Sequence, residues 1–326
     1  MISTPDIDRA VAVLRGGGLV AFPTETVYGL GGDAANEEAL KKIFAAKGRP
    51  HDHPLIVHIA EAAELAHWAR EIPPSTHTLA RRFWPGPLTL VLKRASGVSE
   101  LVTGGQDSIA VRAPSHPVAR ALLARFGGGI AAPSANRYGR VSATTAEHVR
   151  QEFGASVDLV LDGGAAEVGI ESTIVDLSGA EPAVLRPGMI TQAMLEEALG
   201  RALGARSSGS PRAPGTHTRH YAPQTPLMVM EVDLVLELAS SLVRQGKRVA
   251  VLARSARAPL LAGITWIAAP PDAAGYAHDL YANLRRLDAA GCDAILAEAP
   301  PEAPEWAAIR DRLMRASAGA APPEAT

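Results

Sequence analysis

The sequence predicts an α/β protein with two domains. Short apolar runs of strand length alternate with segments whose apolar residues recur at helical spacing, in both halves of the chain. The chain has 326 residues, 47% of them hydrophobic, which is enough for one big domain or for two. From residue 200 to 223 the composition changes to glycine, serine, proline and arginine without apolar periodicity, which favours a linker between two domains.

The first half of the chain contains strands and helices in mixed order. Apolar runs bounded by turn residues predict strands at 19–22, 54–59, 88–94, 108–114, 129–136, 158–164, 171–178 and 183–188. Amphipathic spacing and capping residues predict helices at 6–15, 36–47, 61–70, 75–83, 116–125, 145–154 and 191–201. The run 54–59 lacks polar alternation, which is typical of a strand buried on both faces.

The end of the helix at 36–47 is the most informative stretch. Asn36 is a predicted N-cap, Gly48 suits a left-handed C-terminal cap, and Pro50 prevents the helix from continuing. Lys47 falls on the apolar stripe of this helix, where a cation is costly unless it reaches solvent or meets an anion. Arg49 follows with planar donors suited to phosphate or carboxylate. The pair predicts a polyanionic ligand; the alternative is two solvated charges favoured by the helix dipole.

A second candidate segment is PTETVYGLGG, which follows the first strand. Pro23 argues against a regular central strand, while Thr24, Thr26 and Tyr28 place hydroxyl groups in a segment that its glycines allow to turn sharply. These features indicate a small-molecule site. The alternative is a glycine-rich loop that carries ordinary threonines.

The strand faces add polar groups to the prediction. Alternation in SIAVRAP places Ser108, Ala110 and Arg112 on one face. The strand 129–136 places small or polar residues on a common side, and these are Ala132, Ser134 and Asn136. The small side chains leave room for a ligand there. His58, at the end of the strand 54–59, is a further candidate, although a lone strand histidine is more often structural.

The second half predicts a small α/β domain with a mostly parallel sheet. Strands at 226–231, 248–253, 264–269 and 293–299 alternate with helices at 233–245, 276–290 and 304–316. This half has no GxGxxG, no P-loop pattern and no metal-ligand cluster, so its sequence does not predict a chemistry.

Composition limits the classes of function. The net charge is -2 and the pI is about 6.6, so no global positive field attracts nucleic acid and any RNA contact must be local. Cys292 is the single cysteine and cannot form an internal disulfide. The amino terminus lacks a signal pattern, and no apolar run approaches the roughly 20 residues that span a bilayer. We expect a cytoplasmic protein with no membrane segment.

Six motifs in order resemble one family. PTETVYGLG, KGRPHDHPLIVH, FWPGPLT, SIAVRAP, APSAN and ESTIVD are similar to the YrdC-type threonylcarbamoyl-AMP synthase family, and PGTHTRHYAP with the following domain resembles its long, two-domain form. The resemblance implies a YrdC-like twisted open-sheet α+β catalytic domain at 1–201. It also implies a linker or lid at 202–223 and a smaller Rossmann-like α/β domain at 224–326.

The resemblance also implies an activity. Members of this family are nucleotidyltransferases that make L-threonylcarbamoyladenylate from L-threonine, bicarbonate or CO2, and ATP with Mg2+, and release pyrophosphate. The product serves the threonylcarbamoyl modification of the adenosine next to the anticodon in tRNA, through downstream tRNA threonylcarbamoyltransferase proteins. A weak direct contact with tRNA is left open.

The family's functional positions are matched residue by residue. The resemblance implies catalytic roles for Lys47 and Arg49. It implies ATP contacts for Lys47, Arg49, His53, Ser108, Ser134, Asn136, Ser142, Arg186 and Tyr221. It implies L-threonine contacts for Thr26, His58, Arg112, Ala132 and Ser172. No residue is predicted to bind a metal directly.

Two other functions were weighed against the synthase. A structured-RNA-binding module without catalysis would use the cationic cleft for phosphate backbone, but the overall acidity of the chain argues against it. Carbamoyl transfer through a carbamoyl-adenylate is the second alternative, and the threonine-site residues argue against it.

Overall fold

The structure is a computed structural model that describes residues 3–207, 209–216, 220–256 and 262–318. It divides into two compact units. Unit 1 comprises Met1–Tyr138 and Ser142–Thr216, and unit 2 comprises Gly139–Val141 and His217–Thr326. The change from unit 1 to unit 2 at residue 216 falls inside the predicted linker, of which residues 208 and 217–219 lie outside the described residues.

Unit 1 is built on one mixed sheet. Its strands are β1 (Val20–Pro23), β2 (Tyr28–Asp33), β3 (Ile56–His58), β4 (Ala69–Arg70), β5 (Leu88–Arg94), β6 (Ser108–Arg112), β7 (Ile130–Ala131), β8 (Leu159–Val160), β9 (Thr173–Asp176) and β10 (Ala183–Arg186). The order across the sheet is β10-β9-β5-β6-β3-β7-β2-β1-β8, and β4 pairs with β5. Parallel and antiparallel pairs both occur, so the α+β prediction for this unit is confirmed.

Eight helices accompany this sheet among the described residues. They are α1 (Thr4–Arg15), α2 (Glu37–Lys47), α3 (Leu65–Trp68), α4 (Pro74–Phe83), α5 (Glu100–Thr103), α6 (Pro117–Phe126), α7 (Ala146–Phe153) and α8 (Gln192–Leu199). The region predicted as one helix at 61–70 is instead a short 3-10 turn at Ala62–Glu64, then α3 and β4.

The two faces of the sheet are covered differently. The main core lies on one face, where Val57, Leu90 and Val111 pack with residues of α2, α4 and α7. On the other face one cluster joins α1 and α6 to β1 and β7. A separate, smaller cluster packs Ala213 of the linker against Ile56 and Ala110. Because β3 and β7 are adjacent, these two clusters approach each other at β3, which carries His58.

We expected Pro23 to prevent a regular strand, but it is part of β1. It is the last residue of β1 and lies opposite Tyr28 at the end of an antiparallel hairpin, where the ladder needs no further donor from β1. The segment 24–27 is the turn of this hairpin. The predicted strand 129–136 is also shorter in the structure, because regular pairing stops after Ala131, two residues before Pro133.

Helix α2 begins and ends as the sequence predicts. The Asn36 side chain accepts hydrogen bonds from the backbone N–H groups of Glu38 and Ala39, and Gly48 has a left-handed backbone with φ of 62°. Lys47 is the last residue of the helix and is buried. The local capping signals therefore fix where this lysine leaves the helix.

Unit 2 has a four-stranded parallel sheet. Its elements are β11 (Leu227–Met230), α9 (Val232–Arg244), β12 (Val249–Ala253), β13 (Ile264–Ala268), α10 (Ala273–Ala289), β14 (Ala294–Glu298) and α11 (Ala307–Ser317). The strand order is β11-β14-β12-β13 with every pair parallel, which confirms the prediction. In the described part of the chain, no helix is both long and apolar enough to cross a membrane.

We expect Asn36→Ala to lower the free energy of unfolding of unit 1 by about 1 kcal/mol, since it removes the side-chain acceptor at the start of α2. Urea unfolding of wild type and variant measures the difference. Asn36→Asp, which keeps a capping oxygen, should retain most of the stability. Equal stability of the alanine variant and wild type would contradict this role for Asn36.

Candidate active site

Arg112 and His58 lie side by side on the sheet. They are the last residues of β6 and β3, and the parallel register places them directly opposite each other. Arg112 is only 3% exposed. Its Nε donates to the carbonyl oxygen of Gly86 at 3.2 Å, and its Nη1 donates to Oγ1 of Thr26 at 2.8 Å. Three residues predicted to bind L-threonine are therefore next to one another.

Glu25 joins this group, although the sequence analysis did not single it out. Its Oε1 lies 2.5 Å from Nη2 of Arg112, and the side chains of both residues are almost fully buried. Burial alone raises the pKa of the Glu25 carboxyl, but the charge of Arg112 and its hydrogen bonds outweigh burial and hold that pKa below its ordinary value. The guanidinium thus has a buried carboxylate partner before any ligand is considered.

His58 is a neutral imidazole in this setting. Burial, reinforced by the charge of Arg112, lowers the pKa of His58 to about 3. Its Nδ1 is buried and has no hydrogen-bond partner among the described residues. The edge of its ring meets the Phe22 ring, with centroids 6.0 Å apart. His58 therefore offers an uncharged polar atom to a ligand.

Arg186 and Ser172 contact each other directly. Arg186 Nη2 donates to the backbone oxygen of Ser172 at 2.9 Å and to its Oγ at 3.1 Å. The Ser172 hydroxyl also shares a 2.8 Å hydrogen bond with Thr89 Oγ1. Arg186 Nη1 donates to the carbonyl oxygen of Pro214 in the linker. Arg186, a predicted ATP contact, is thus hydrogen-bonded to Ser172, a predicted threonine contact.

Lys47 lies among backbone carbonyl groups. Its ammonium is 2.6 Å from the carbonyl oxygen of Ser134 and also donates to that of Asn136. Burial, and then the nearby charge of Arg49, hold the pKa of Lys47 well below its usual range. An ammonium has three donors, so one remains after these two bonds to described residues. An anionic oxygen at that position would favour the charged form of Lys47.

Arg49 and His53 lie in the turn that follows α2. Arg49 Nη2 donates to the carbonyl oxygen of Pro54 at 2.8 Å. The ring of His53 packs edge-on against Tyr138, with centroids 5.2 Å apart. The backbone N–H of Tyr138 donates to the carbonyl oxygen of Lys47 at 2.8 Å. The turn and the segment after Asn136 therefore support each other.

Three further predicted positions of unit 1 are Ser108, Ala132 and Ser142. Ser108 is on the same face as Arg112, four residues earlier in β6. The backbone N–H of Ala132 donates to Ile56 at 2.9 Å, so Ala132 flanks β3. Ser142 donates to the carboxylate of Glu171 at 2.5 Å. The segment from Ala132 to Asn136 thus connects the neighbourhood of β3 with Lys47.

Tyr221 belongs to unit 2. Its ring stacks on Tyr281 with centroids 5.6 Å apart, and the guanidinium of Arg312 lies 5.2 Å from the ring centre. Its backbone has a positive φ of 60°. A contact between Tyr221 and ATP stays a prediction.

Three side chains of this region were not predicted from the sequence, those of Glu25, Thr89 and Glu171. Each is a buried polar partner of a predicted residue, namely Arg112, Ser172 and Ser142. A signal for Glu25 was present, since a buried arginine requires a compensating acceptor. The Tyr28 hydroxyl, by contrast, donates to the backbone oxygen of Gly164 and serves the fold.

The arrangement has two chemically distinct parts. Arg112, Thr26 and His58 suit a small ligand with a carboxylate and further polar groups, because a cation, a hydroxyl and a neutral imidazole meet there. Lys47 and Arg49 suit phosphate, because two buried cations meet at a helix end.

A family model named for Sua5, YciO and YrdC, and described as telomere recombination, matches residues 12–188. This chain belongs to that family. A second model, described as the C-terminal domain of threonylcarbamoyl-AMP synthase, matches residues 190–318. The resemblance inferred from six motifs is thereby confirmed, and it extends over both units.

Individual relatives are similar over nearly their whole length. The threonylcarbamoyl-AMP synthase of Pyrococcus abyssi is 41% identical over 94% of this chain and 93% of its own length. That of Bacillus subtilis is 40% identical over 97% of this chain and 94% of its own. A crystal structure of P. abyssi Sua5 complexed with L-threonine matches with a TM-score of 0.91 and 40% identity, covering 97% of this chain and 95% of that one.

We expect His58 to make the protein less stable in acid. Because its pKa is about 3 in the folded state and near 6.5 in an unfolded chain, the unfolded state binds the proton first as pH falls. Stability is therefore lost below pH about 6.5, by about 1.4 kcal/mol per pH unit from this group. Urea unfolding between pH 4 and 8 should show a shallower decline for His58→Gln than for wild type.

The exposed His67 provides the control for this titration. His67→Gln should leave the decline in acid close to that of wild type. If His58→Gln and wild type lost stability in parallel, His58 would not be held neutral by its surroundings.

Proposed function

We propose that this chain synthesises L-threonylcarbamoyladenylate from L-threonine, bicarbonate or CO2, and ATP, with release of pyrophosphate. Relatives that are 40 to 41% identical over nearly the full chain are named threonylcarbamoyl-AMP synthase, and one of them has a structure complexed with L-threonine. The observation that carries the proposal is the pairing of an Arg112 group suited to an amino acid with a Lys47 group suited to phosphate.

The proposed reaction has two steps. The amine of threonine loses a proton and forms a bond to the carbon of CO2, which gives N-carboxy-threonine. An oxygen of the new carboxylate then attacks the α-phosphorus of ATP, and the bond from that phosphorus to pyrophosphate breaks. No side chain acts as a nucleophile, so alignment and charge stabilisation supply the catalysis.

Each buried cation has a role in this scheme. Arg112, with Thr26 and His58 beside it, would hold the threonine. Lys47, Arg49 and Arg186 would neutralise the charge that moves onto pyrophosphate, and Ser108, Ser134, Asn136, Ser142 and His53 would position the nucleotide. Arg186, a predicted ATP contact, donates to the hydroxyl of Ser172, a predicted threonine contact, which supports neighbouring positions for the two substrates.

Mg2+ would accompany ATP in this scheme. The described residues contain no group of three or more histidine, cysteine, aspartate or glutamate side chains arranged to hold a metal. We propose that Mg2+ is bound mainly by phosphate oxygens and water, because Mg2+ keeps several waters when it binds with nucleotide phosphates. The ion would neutralise phosphate charge.

Pyrophosphate release tests the function. Release should require ATP, L-threonine and bicarbonate together, and it should fall to background in Lys47→Ala and Arg49→Ala. Lys41→Ala, which removes an exposed lysine from the same helix, should retain activity. Release that is independent of threonine would contradict the proposal. Tight, salt-sensitive tRNA binding without pyrophosphate release would favour the RNA-binding alternative.

The linker at 202–223 is proposed to act as a lid on the nucleotide. Within unit 1, Arg212 donates through its backbone N–H to Gln106 and through Nη2 to the backbone of Gly104. Ala213 is buried against the sheet, and Pro214 accepts from Arg186. These contacts support a segment that packs on the site instead of a solvated tether. A mixed anhydride product also needs protection from water.

Limited proteolysis tests the lid. With ATP, threonine and bicarbonate present, cleavage between Ser207 and Pro223 should slow markedly, and Tyr221→Ala should remove much of that protection. Glycine in place of threonine is the control. Identical cleavage rates with and without the substrates would reduce the segment to a linker.

The biological setting follows from this proposal and stays a prediction. The product would pass to downstream tRNA threonylcarbamoyltransferase proteins in the cytoplasm. A direct contact of this chain with tRNA is not required by the reaction.

A further inference from the structure

With respect to the described residues, the guanidinium of Arg112 keeps two donors for a ligand. A guanidinium has five N–H groups. Three of those of Arg112 donate to described residues, one each to Gly86, Thr26 and Glu25. Nε is fully used, so one N–H remains on each terminal nitrogen. One of these lies on Nη2, the nitrogen that already donates to Glu25. A carboxylate bound there would therefore lie next to the Glu25 carboxylate.

Glu25 keeps acceptor capacity of its own. One oxygen accepts from Arg112 and the other accepts from the backbone N–H of Ser115 at 3.0 Å. An ionised carboxylate has about four lone-pair sites, so these contacts with described residues leave it acceptor capacity. Glu25 is 3% exposed, so a ligand group that binds to the Glu25–Arg112 pair must lose its hydration.

Thr26 presents its oxygen as an acceptor. Thr24 donates its only hydroxyl proton to the carbonyl oxygen of Val27 at 2.6 Å, because a carbonyl can only accept. The 2.8 Å contact between the two threonine hydroxyls must then be donated by Thr26. The Thr26 proton is therefore committed to Thr24, and Thr24 acts as a positioning residue for the Thr26 oxygen.

The charges of this group balance before a ligand arrives. Arg112 is positive, Glu25 is negative and His58 is neutral. A ligand with a lone carboxylate would leave a net negative charge in a buried place, which is costly. A zwitterion would add no net charge. In an α-amino acid the ammonium and the carboxylate are attached to the same carbon. They can therefore reach the adjacent side chains of Glu25 and Arg112 together.

We propose that Glu25 and Arg112 together form a receptor for the zwitterionic head group of an α-amino acid, in which Glu25 selects the ammonium. The ligand carboxylate binds the two remaining N–H groups of Arg112, and its ammonium donates to Glu25 and to the oxygen of Thr26. Glu25 is thus a specificity-determining residue of the amino-acid subsite. This inference rests on the proposed function, since that function makes an amino acid the substrate.

The experiment compares two ligands that differ in the amine. Calorimetry would measure the affinity of the full chain for L-threonine and for β-hydroxybutyrate, which keeps the carboxylate and the hydroxyl but lacks the amine. Wild type should prefer threonine. Glu25→Gln, which keeps the size and an acceptor oxygen, should bind threonine about 10- to 100-fold more weakly, the range for a lost charge-assisted hydrogen bond. Its affinity for β-hydroxybutyrate should stay equal or increase.

The controls separate selection from support of Arg112. The ATP affinity of Glu25→Gln should remain near that of wild type, whereas its thermal midpoint should fall, because Arg112 loses the charge of its buried partner. Glu61→Gln, which changes an exposed glutamate, should leave both ligand affinities unchanged. Should Glu25→Gln fail to fold, Glu25→Asp takes its place: it keeps the charge on a shorter arm and should retain most of the preference for threonine.

Three results would overturn the inference. An equal loss of affinity for both ligands in Glu25→Gln would make Glu25 a support for Arg112 alone. An unchanged preference for threonine in Glu25→Gln would also overturn it, as would equal affinity of wild type for threonine and β-hydroxybutyrate. Failure of the proposed function is distinguishable, because wild type would then release no threonine-dependent pyrophosphate.

Discussion

Four buried cations organise unit 1. Lys47, Arg49, Arg112 and Arg186 are each at most 7% exposed, and moving such charges out of water is costly unless acceptors surround them. Most of the acceptors are backbone carbonyl groups, those of Ser134, Asn136, Pro54, Gly86, Ser172 and Pro214. The loops of the site therefore have their shapes partly because their carbonyl groups must point at these cations.

The use of carbonyl groups has a functional consequence. A carbonyl dipole stabilises a cation without cancelling its charge, so Lys47 retains the ability to attract an anion. Arg112 differs, because Glu25 cancels its charge. In the proposed function this difference fits the two ligands. The polyphosphate of ATP carries a large net charge, whereas threonine is a neutral zwitterion. In this proposal the two parts of the site suit different substrates because their cations have different acceptors. Lys47 is surrounded by carbonyl groups, whereas Arg112 has a carboxylate.

Local signals in the sequence predicted what local physics decides. The Asn36 cap and the Gly48 turn depend on a few neighbouring residues, so the end of α2 and the exit of Lys47 were predictable. Alternation along 108–112 predicted that Ser108 and Arg112 share a face. The parallel sheet of unit 2 followed from the alternation of strands and helices. The family resemblance supplied the remaining site residues, and their individual roles stay predictions.

Long-range pairing decided what the sequence did not predict. Glu25 meets Arg112 across 87 positions, and the choice of partner depends on how the hairpin of β1 and β2 lies relative to β6. Similarly, Gly139–Val141 belongs to unit 2 because the backbone of Ala222 bonds to Gly139, a contact without a local signal. The hairpin of β1 and β2 was not predicted, because Pro23 argued against a regular central strand in this stretch. In the structure Pro23 is nevertheless part of β1, as its last paired residue.

We propose that unit 1 holds two separate subsites, one for an amino acid and one for phosphate. Calorimetric titration of L-threonine and of ATP into Arg112→Ala and Lys47→Ala tests it most directly. We expect Arg112→Ala to weaken threonine by about 1.5 to 3 kcal/mol, the value of a charge-assisted hydrogen bond, while ATP binding changes little. Lys47→Ala should show the reverse. Equal losses for both ligands in both variants would contradict the division into two subsites.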